Sequence, residues 1–206
     1  VMLGFEVGLF SLVAIIMGGF GTHALAAHQV AIQVSGISFV FFLGLAQATG
    51  VRVAQAVGRK DFKCIVGAAN TGLLMGVFLA LFFASIFLLF SINIINFFID
   101  IKSEVNNQVL CLSLSFLHIV AIYQLFDSLQ VILNGILRSL KDTFYPMWVG
   151  LLSYWVIGLI SGFFINSFFK LKGVGLWWGL TIGLFMSGFL LWIRFYKKVI
   201  LKNIII

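Results

Sequence analysis

The chain has 206 residues, of which 62% are hydrophobic and only 9% are charged, and its formal net charge is +7. A soluble domain carries about 25% charged residues because its surface has to meet water, so this composition excludes a soluble or a disordered protein. The positive charge is better explained by loops at a membrane surface than by a nucleic-acid partner.

Six apolar stretches follow one another along the chain, each close to or above the roughly 20 residues that cross a bilayer. The predicted helices are residues 1–18, 28–57, 64–98, 105–137, 143–169 and 173–195, and a basic tail follows over 196–206. The only proline, Pro146, falls in the first turn of the fifth helix, where proline is tolerated. Cys64 and Cys111 lie in apolar stretches without CxxC spacing, so we expect buried thiols. The sequence therefore predicts an all-α membrane protein with a single six-helix transmembrane domain.

The basic residues predict the orientation of these helices. The second and fourth connections, with the C-terminal tail, hold ten of the thirteen basic residues, and the first, third and fifth connections hold Lys102, Lys170 and Lys172. Positive residues prefer the cytoplasmic side of a membrane. We therefore expect both chain ends to be cytoplasmic. The chain opens on Val1, inside an apolar helix, which we interpret as the start of a fragment.

Two of the six acidic residues are out of place in a membrane protein. Asp61, Asp100, Glu104 and Asp142 fall between helices, and we expect solvated loop charges there. Glu6 and Asp127 fall inside predicted helices, where an ionised group costs at least about 2.5 kcal/mol and usually faces the protein interior or a water-filled path. Both acids therefore become candidate functional residues.

Asp127 shares one helical face with four other polar side chains. At 100° per residue, Tyr123, Asp127, Gln130, Asn134 and Arg138 fall within about 80° of one another and form a polar track toward the cytoplasmic end. A polar helix–helix contact would give the same pattern, although such contacts usually use uncharged side chains. Carboxylate, phenol and amide oxygens suit a hard cation such as Na⁺, for which Glu6 and Asp127 would be the metal ligands. Alternatively, buried carboxyls carry protons.

Several stretches resemble one known family. The segment GFEVGLFSLVAIIMGGFGTHALAAHQVA resembles the seventh helix and following turn of the multidrug and toxic compound extrusion (MATE) family, and VRVAQAVGRKD resembles the end of its eighth. AIYQLFDSLQVILNGILRSLKDT is similar to the tenth helix, SYWVIGLISGF to the eleventh and GVGLWWGLTIGL to the twelfth. The resemblance covers essentially the whole chain. It is closest to the NorM-type branch, because Tyr123 and Asp127 occur together.

This resemblance implies the second six-helix lobe of a twelve-helix, two-lobe transporter that exchanges amphipathic cationic drugs for Na⁺ or H⁺. It implies a coupling-ion site at Glu6, Asp127 and Tyr123, no cofactor besides that ion, an inner-membrane location within the lipid bilayer and a missing N-terminal lobe. It implies no enzyme activity. A flippase of the same superfamily and a non-transporting membrane subunit remain alternatives. An intramembrane serine protease is disfavoured, because Ser161 lacks a preceding GxS pattern and no histidine follows in a later helix.

Overall fold

The structure is a computed structural model that describes residues 2–100, 106–169 and 173–201, and every regular element within these ranges is a helix. The α-helices are α1 (Met2–Gly19), α2 (Thr22–Gly58), α3 (Phe62–Leu89), α4 (Ser91–Phe98), α5 (Asn107–Ser139), α6 (Phe144–Leu151), α7 (Leu159–Phe169) and α8 (Val174–Phe195). Two π-helical segments, Leu152–Gly158 and Tyr196–Leu201, connect α6 to α7 and extend α8.

Five helical stretches of the described chain are long and apolar enough to cross a membrane. They are Thr22–Gly58, Phe62–Leu89, Asn107–Ser139, Phe144–Phe168 and Val174–Val199, and α1 supplies a shorter apolar helix over Gly8–Gly19. At 1.5 Å per residue, α2 and α5 are about 55 and 50 Å long, well beyond a hydrocarbon core of about 30 Å. Their ends therefore project beyond the hydrocarbon.

The second helix begins at Thr22, six residues before the predicted start at 28. The preceding turn needs only Phe20 and Gly21, whose N–H groups donate to the carbonyls of Met17 and Gly18 at 3.0 and 3.2 Å. Gly21 has a φ of 110°, which is a conformation that other residues rarely adopt. One glycine thus reverses the chain, and the residues after it are already helical.

The third predicted helix, 64–98, is two helices. Phe90 leaves helical geometry, with φ −112° and ψ 19°, and Ser91 then starts α4. The 28 residues of α3 span about 42 Å, so the membrane is already crossed when the chain bends. The separate helix α4 therefore begins beyond the crossing.

The fifth predicted helix, 143–169, contains the π-helical segment Leu152–Gly158 between α6 and α7. Its widened turn packs on α8, where Gly183 lies close to the carbonyl of Ser153 and to Gly158. A side chain at Gly183 would meet that carbonyl, so the glycine makes room for the bulge. Such bulges are frequent at functional sites.

Helix α5 is the centre of the packing, with α2, α3 and α8 against it. It approaches α2 where Gly135 meets the carbonyl of Ala46 and where Gly50 meets Ser139. Small residues allow this close approach of two backbones inside a membrane. The central position of α5 decides which of its side chains are enclosed.

The contacts at the C-terminal end correct one expectation. Residues 196–201, the start of the predicted basic tail, continue α8 as a helix, and Val199 is buried against the core. Asp142 is not a solvated loop charge: it is 7% exposed, and Arg194 Nε and Lys198 Nζ lie 2.9 and 3.3 Å from its Oδ2. The prediction missed these partners because they come from α8 and its extension, more than fifty residues away.

Both free cysteines, Cys64 and Cys111, are exposed, so the prediction of buried thiols was wrong. Cys64 lies in the first turn of α3 and Cys111 in the second turn of α5. Apolar sequence surroundings did not imply burial, because burial depends on which helices pack against these turns.

Candidate functional site

The predicted polar face of α5 is enclosed at its middle and opens toward one end. Tyr123, Asp127 and Gln130 are 4%, 2% and 1% exposed. Asn134, one turn further on, is half-buried, and Arg138 in the last turn is exposed. Tyr123 lies sixteen residues from each end of α5. The burial therefore decreases along the face from the middle of the helix to the end that is expected to be cytoplasmic.

Tyr123 reaches a small cavity between four helical segments. The cavity has a volume of about 10 Å³, which is space for about one water molecule. It is lined by Tyr123, Leu9 and Phe10 of α1, Tyr154 of the first π-helical segment, and Leu180 and Leu184 of α8. In this conformation the space beside Tyr123 can hold a water molecule or a small ion but no drug-sized molecule.

A buried aromatic cluster borders the same tyrosine. The ring of Trp177, which is fully buried, lies 6.0 Å from the Tyr123 ring in an edge-on arrangement. The rings of Phe116 and His28 approach Trp177 at 6.0 and 5.6 Å. The cluster joins α2, α5 and α8 at the level of Tyr123 and keeps its ring in place.

Asp127 lies one turn beyond Tyr123. Gln130 follows it, and its Cβ contacts the region of Gly188 on α8. The face that carries Tyr123 and Gln130 is therefore turned toward α8, and Asp127 lies between them in sequence on that face. A buried carboxyl with a phenol and an amide on the same face provides oxygen atoms for a small cation or a place for a proton.

Glu6 belongs to α1, but its side chain lies outside the described part of the chain. The structure brings α1 to Tyr123 through Leu9 and Phe10, which line the cavity. The expected approach of Glu6 to Asp127 stays a prediction, as does the assignment of both as Na⁺ ligands. Among the described residues, no three His, Cys, Asp or Glu side chains are grouped as a metal site.

Other buried polar residues escaped the sequence analysis. Gln124 and Ser128 are fully buried on α5, and their side-chain polar atoms have no hydrogen-bond partner among the described residues. Ser128 faces Gly76 of α3, on another side of α5 from the predicted track. Tyr154, 3% exposed, lines the cavity from the π-helical segment. A polar residue within an apolar stretch was the available signal for each of them.

Comparison with known proteins identifies the family. The model of the MatE family matches residues 1–164. The chain belongs to the MatE family. It is 37% identical over 197 residues to the probable multidrug resistance protein NorM of Mesorhizobium japonicum and 39% identical over 196 residues to that of Deinococcus radiodurans. These alignments cover 96% and 95% of this chain but 42% and 44% of the relatives. The chain thus spans less than half the length of the MatE relatives it matches.

Solved MATE structures share the fold. The eukaryotic MATE transporter AtDTX14 superposes with a TM-score of 0.81 at 21% identity, over 94% of this chain and 42% of that one. An outward-facing multidrug resistance MATE family transporter gives a TM-score of 0.82 at 17% identity, over 96% and 43%. MATE transporters have twelve helices in two lobes, and this chain matches the C-terminal half. The predicted all-α membrane fold and the MATE resemblance are confirmed, and the family is one of transporters rather than enzymes.

Proposed function

We propose that the chain forms one lobe of a multidrug exporter whose driving cation binds at the buried acidic face of α5. The observation that carries the proposal is the burial of Asp127, 2% exposed, in the interior of a membrane-crossing helix. A membrane protein keeps such a carboxyl where an ion or a proton has to be held. The NorM relatives, which are named as probable multidrug resistance proteins, support drug export as the transport that the bound ion drives.

The site consists of Asp127, Tyr123 and Glu6, with Gln130 and Asn134 on the path to the exposed end of α5. Glu6 precedes Leu9 and Phe10 by three and four positions, which is the spacing of one helical face. That spacing supports a place for Glu6 on the side of α1 that meets Tyr123. Two acids from α1 and α5 would then share one bound cation.

The coupling ion is Na⁺ or H⁺. The oxygens of a carboxylate and a phenol favour Na⁺, whereas a carboxyl in a poorly hydrated site also holds a proton. In either case binding neutralises buried negative charge and favours the lobe conformation that encloses the site. The conformation that binds the ion more tightly is, by linkage, the one that the ion stabilises.

The remainder of the exporter is a second, N-terminal six-helix lobe. The alignments cover only 42% and 44% of the two NorM relatives described above, which supports a drug cavity between this lobe and another. The substrates are amphipathic cations. The lobe lies in the inner membrane with both ends cytoplasmic, as the ten-to-three distribution of basic residues favours.

Ion-driven ethidium efflux tests the site. The chain is joined to the N-terminal lobe of a NorM relative, and efflux is measured under an inward Na⁺ or H⁺ gradient, with membrane levels checked. We expect Asp127→Asn and Glu6→Gln to abolish the dependence on the gradient, and Tyr123→Phe to weaken it less because the ring remains.

Asp61→Asn is the matched control, because it is the same substitution at an acid in a turn. Unchanged efflux and gradient dependence in both Asp127→Asn and Glu6→Gln would place the coupling site elsewhere. The 206-residue chain alone should give no more efflux than an empty vector, because its cavity would have one wall.

A further inference from the structure

Five basic residues are carried by the last turn of α5, the α5–α6 turn and the end of α8, and two of them pair with Asp142. We call this group the basic corner, and it comprises Arg138, Lys141, Arg194, Lys197 and Lys198. Arg194 Nε and Lys198 Nζ both contact the same oxygen of Asp142, and Lys198 Nζ also donates to the carbonyl of Leu140 at 3.2 Å. The corner therefore joins two distant parts of the sequence through one carboxylate.

The carboxylate of Asp142 neutralises only one of these five charges. Lys141 and Lys197 are exposed and form no ion pair with a described residue. Arg194 is 43% exposed, uses Nε for Asp142 and lies with its guanidinium carbon 4.7 Å from the centre of the Tyr145 ring. This cation–π contact holds the guanidinium beside the ring, and the hydrogen bond to Asp142 uses Nε, so the terminal NH₂ groups can bind a further anion.

Aromatic side chains place the corner at the membrane surface. Trp148, Trp192 and Tyr196 are 46%, 49% and 39% exposed, and the rings of Trp192 and Tyr196 stack at 5.7 Å. Exposed Trp and Tyr side chains concentrate at the headgroup level of a bilayer. Arg194 lies between Trp192 and Tyr196 in sequence, so its free donors lie at the depth of lipid phosphates.

We propose that the basic corner binds the phosphate of an anionic phospholipid such as phosphatidylglycerol. The guanidinium of Arg194 suits bidentate contact with phosphate oxygens, and Lys141 and Lys197 add charge around it. A zwitterionic lipid carries its own ammonium group, which opposes the field of the corner. The site therefore selects anionic lipids. It does not depend on the drug-export proposal.

The α2–α3 turn provides a matched control within the same chain. Lys60 and Lys141 have φ values of 55° and 57° and both precede an aspartate. No Trp or Tyr occurs between residues 52 and 68, in contrast to the surroundings of the basic corner. Gly50 packs against Ser139, so α2 continues eight residues, about 12 Å, past the last residue of α5. This turn is basic, but it lies beyond the headgroup level.

Native mass spectrometry of the full 206-residue chain in detergent, titrated with phosphatidylglycerol or phosphatidylcholine, tests the site. We expect phosphatidylglycerol to bind at least fivefold more tightly. The double variant Lys141→Gln/Lys197→Gln should weaken the binding of phosphatidylglycerol about 25-fold, or about fivefold for each charge removed. The control double variant Lys60→Gln/Lys63→Gln should change it less than twofold. Circular dichroism verifies that each variant keeps its helices.

Three results would overturn the proposal. Equal affinity for the two lipids would remove the selectivity for anionic headgroups. Equal losses of phosphatidylglycerol affinity in the two double variants would show that general surface charge, and not the basic corner, explains the binding. Displacement of the lipid by equimolar glycerol 3-phosphate would identify a site for soluble phosphate rather than for a membrane lipid.

Discussion

Two turns at the same end of the lobe, Arg59–Asp61 after α2 and Leu140–Asp142 after α5, share one backbone. In each, the lysine N–H donates to the carbonyl three residues back at 3.0 Å, and the aspartate N–H donates five residues back at 3.1 and 2.9 Å. This is the Schellman motif, with a left-handed lysine in the place of the usual glycine. The local sequence is sufficient to end both helices in the same way.

The two aspartates nevertheless have different roles. Asp61 accepts a hydrogen bond from the Cys64 N–H at 3.1 Å and caps α3, and hydrogen bonds from Cys64 lower its pKa. Burial raises the pKa of Asp142, but Arg194 and Lys198 outweigh it, so that the net shift is also downward. The comparison teaches that local sequence sets the backbone of a turn, while a distant helix decides what its charge does.

The largest expected effect is that of Asp142→Asn. The substitution leaves Arg194 and Lys198 at the corner without their carboxylate, which should lower the free energy of unfolding by about 2 kcal/mol. The exposure of Arg194 keeps the value below that of a fully buried pair. Unfolding in mixed detergent–SDS titrations measures it. A loss equal to that of Asp61→Asn would erase the distinction between the turns.

Acid should reduce the difference in stability between the unsubstituted chain and Asp142→Asn. The pKa of Asp142 lies below its ordinary value of 3.8, so its contribution is fully present above pH 3.8 and is lost as the pH falls through the lowered pKa. The stability gap between the unsubstituted chain and Asp142→Asn should be constant from pH 7 to 5 and should shrink below 3.8. Thermal unfolding at each pH checks this. A gap that already closes at pH 6 would mean that another group controls the corner.

Lys60→Gly and Lys141→Gly test the shared backbone. A non-glycine residue in the left-handed conformation costs about 1 to 2 kcal/mol, and substitution by glycine removes this cost. The greater conformational entropy of glycine in the unfolded chain offsets part of the gain in stability. Each substitution should stabilise the chain by about 0.5 kcal/mol, and by the same amount at both turns. The SDS titration measures the change in stability for each substitution separately. Destabilisation at Lys141 alone would show that its side chain holds the corner together.

The smallest effect should come from Asp61→Asn. Asparagine is as good an N-cap as aspartate, so the hydrogen bond from the Cys64 N–H survives without the charge. We expect an unchanged unfolding curve, whereas Asp61→Ala should shift it toward lower SDS. A clear loss in Asp61→Asn would mean that the charge, and not the cap, supports α3.

Sequence periodicity located the features that depend on neighbours along one helix. It placed Tyr123, Asp127 and Gln130 on one face of α5, and all three are buried. It placed Pro146 in a first helical turn, where α6 begins. These features follow from 3.6 residues per turn and from proline geometry, which act within a few residues.

Features that depend on contacts between helices were not predictable in this way. The π-helical segment at Leu152–Gly158 fits because Gly183 of another helix leaves room for it. Asp142 was expected to be solvated, because the local sequence does not show the two cations that reach it from α8 and its extension. The cavity beside Tyr123 combines side chains from α1, α5, α8 and the π-helical segment. Each required knowledge of which helices meet.

The two exposed cysteines have a practical consequence. Cys64 follows the α2–α3 turn, and Cys111 borders a pocket of about 500 Å³ with His23, Asn107 and Gln108 at the opposite end of the lobe. The unaltered chain therefore carries one reporter thiol for each side of the membrane. If both termini are cytoplasmic, as proposed, an impermeant maleimide added to intact cells should modify Cys111 within minutes and reach Cys64 only after permeabilisation. The reverse order would invert the topology, and neither result requires an engineered residue.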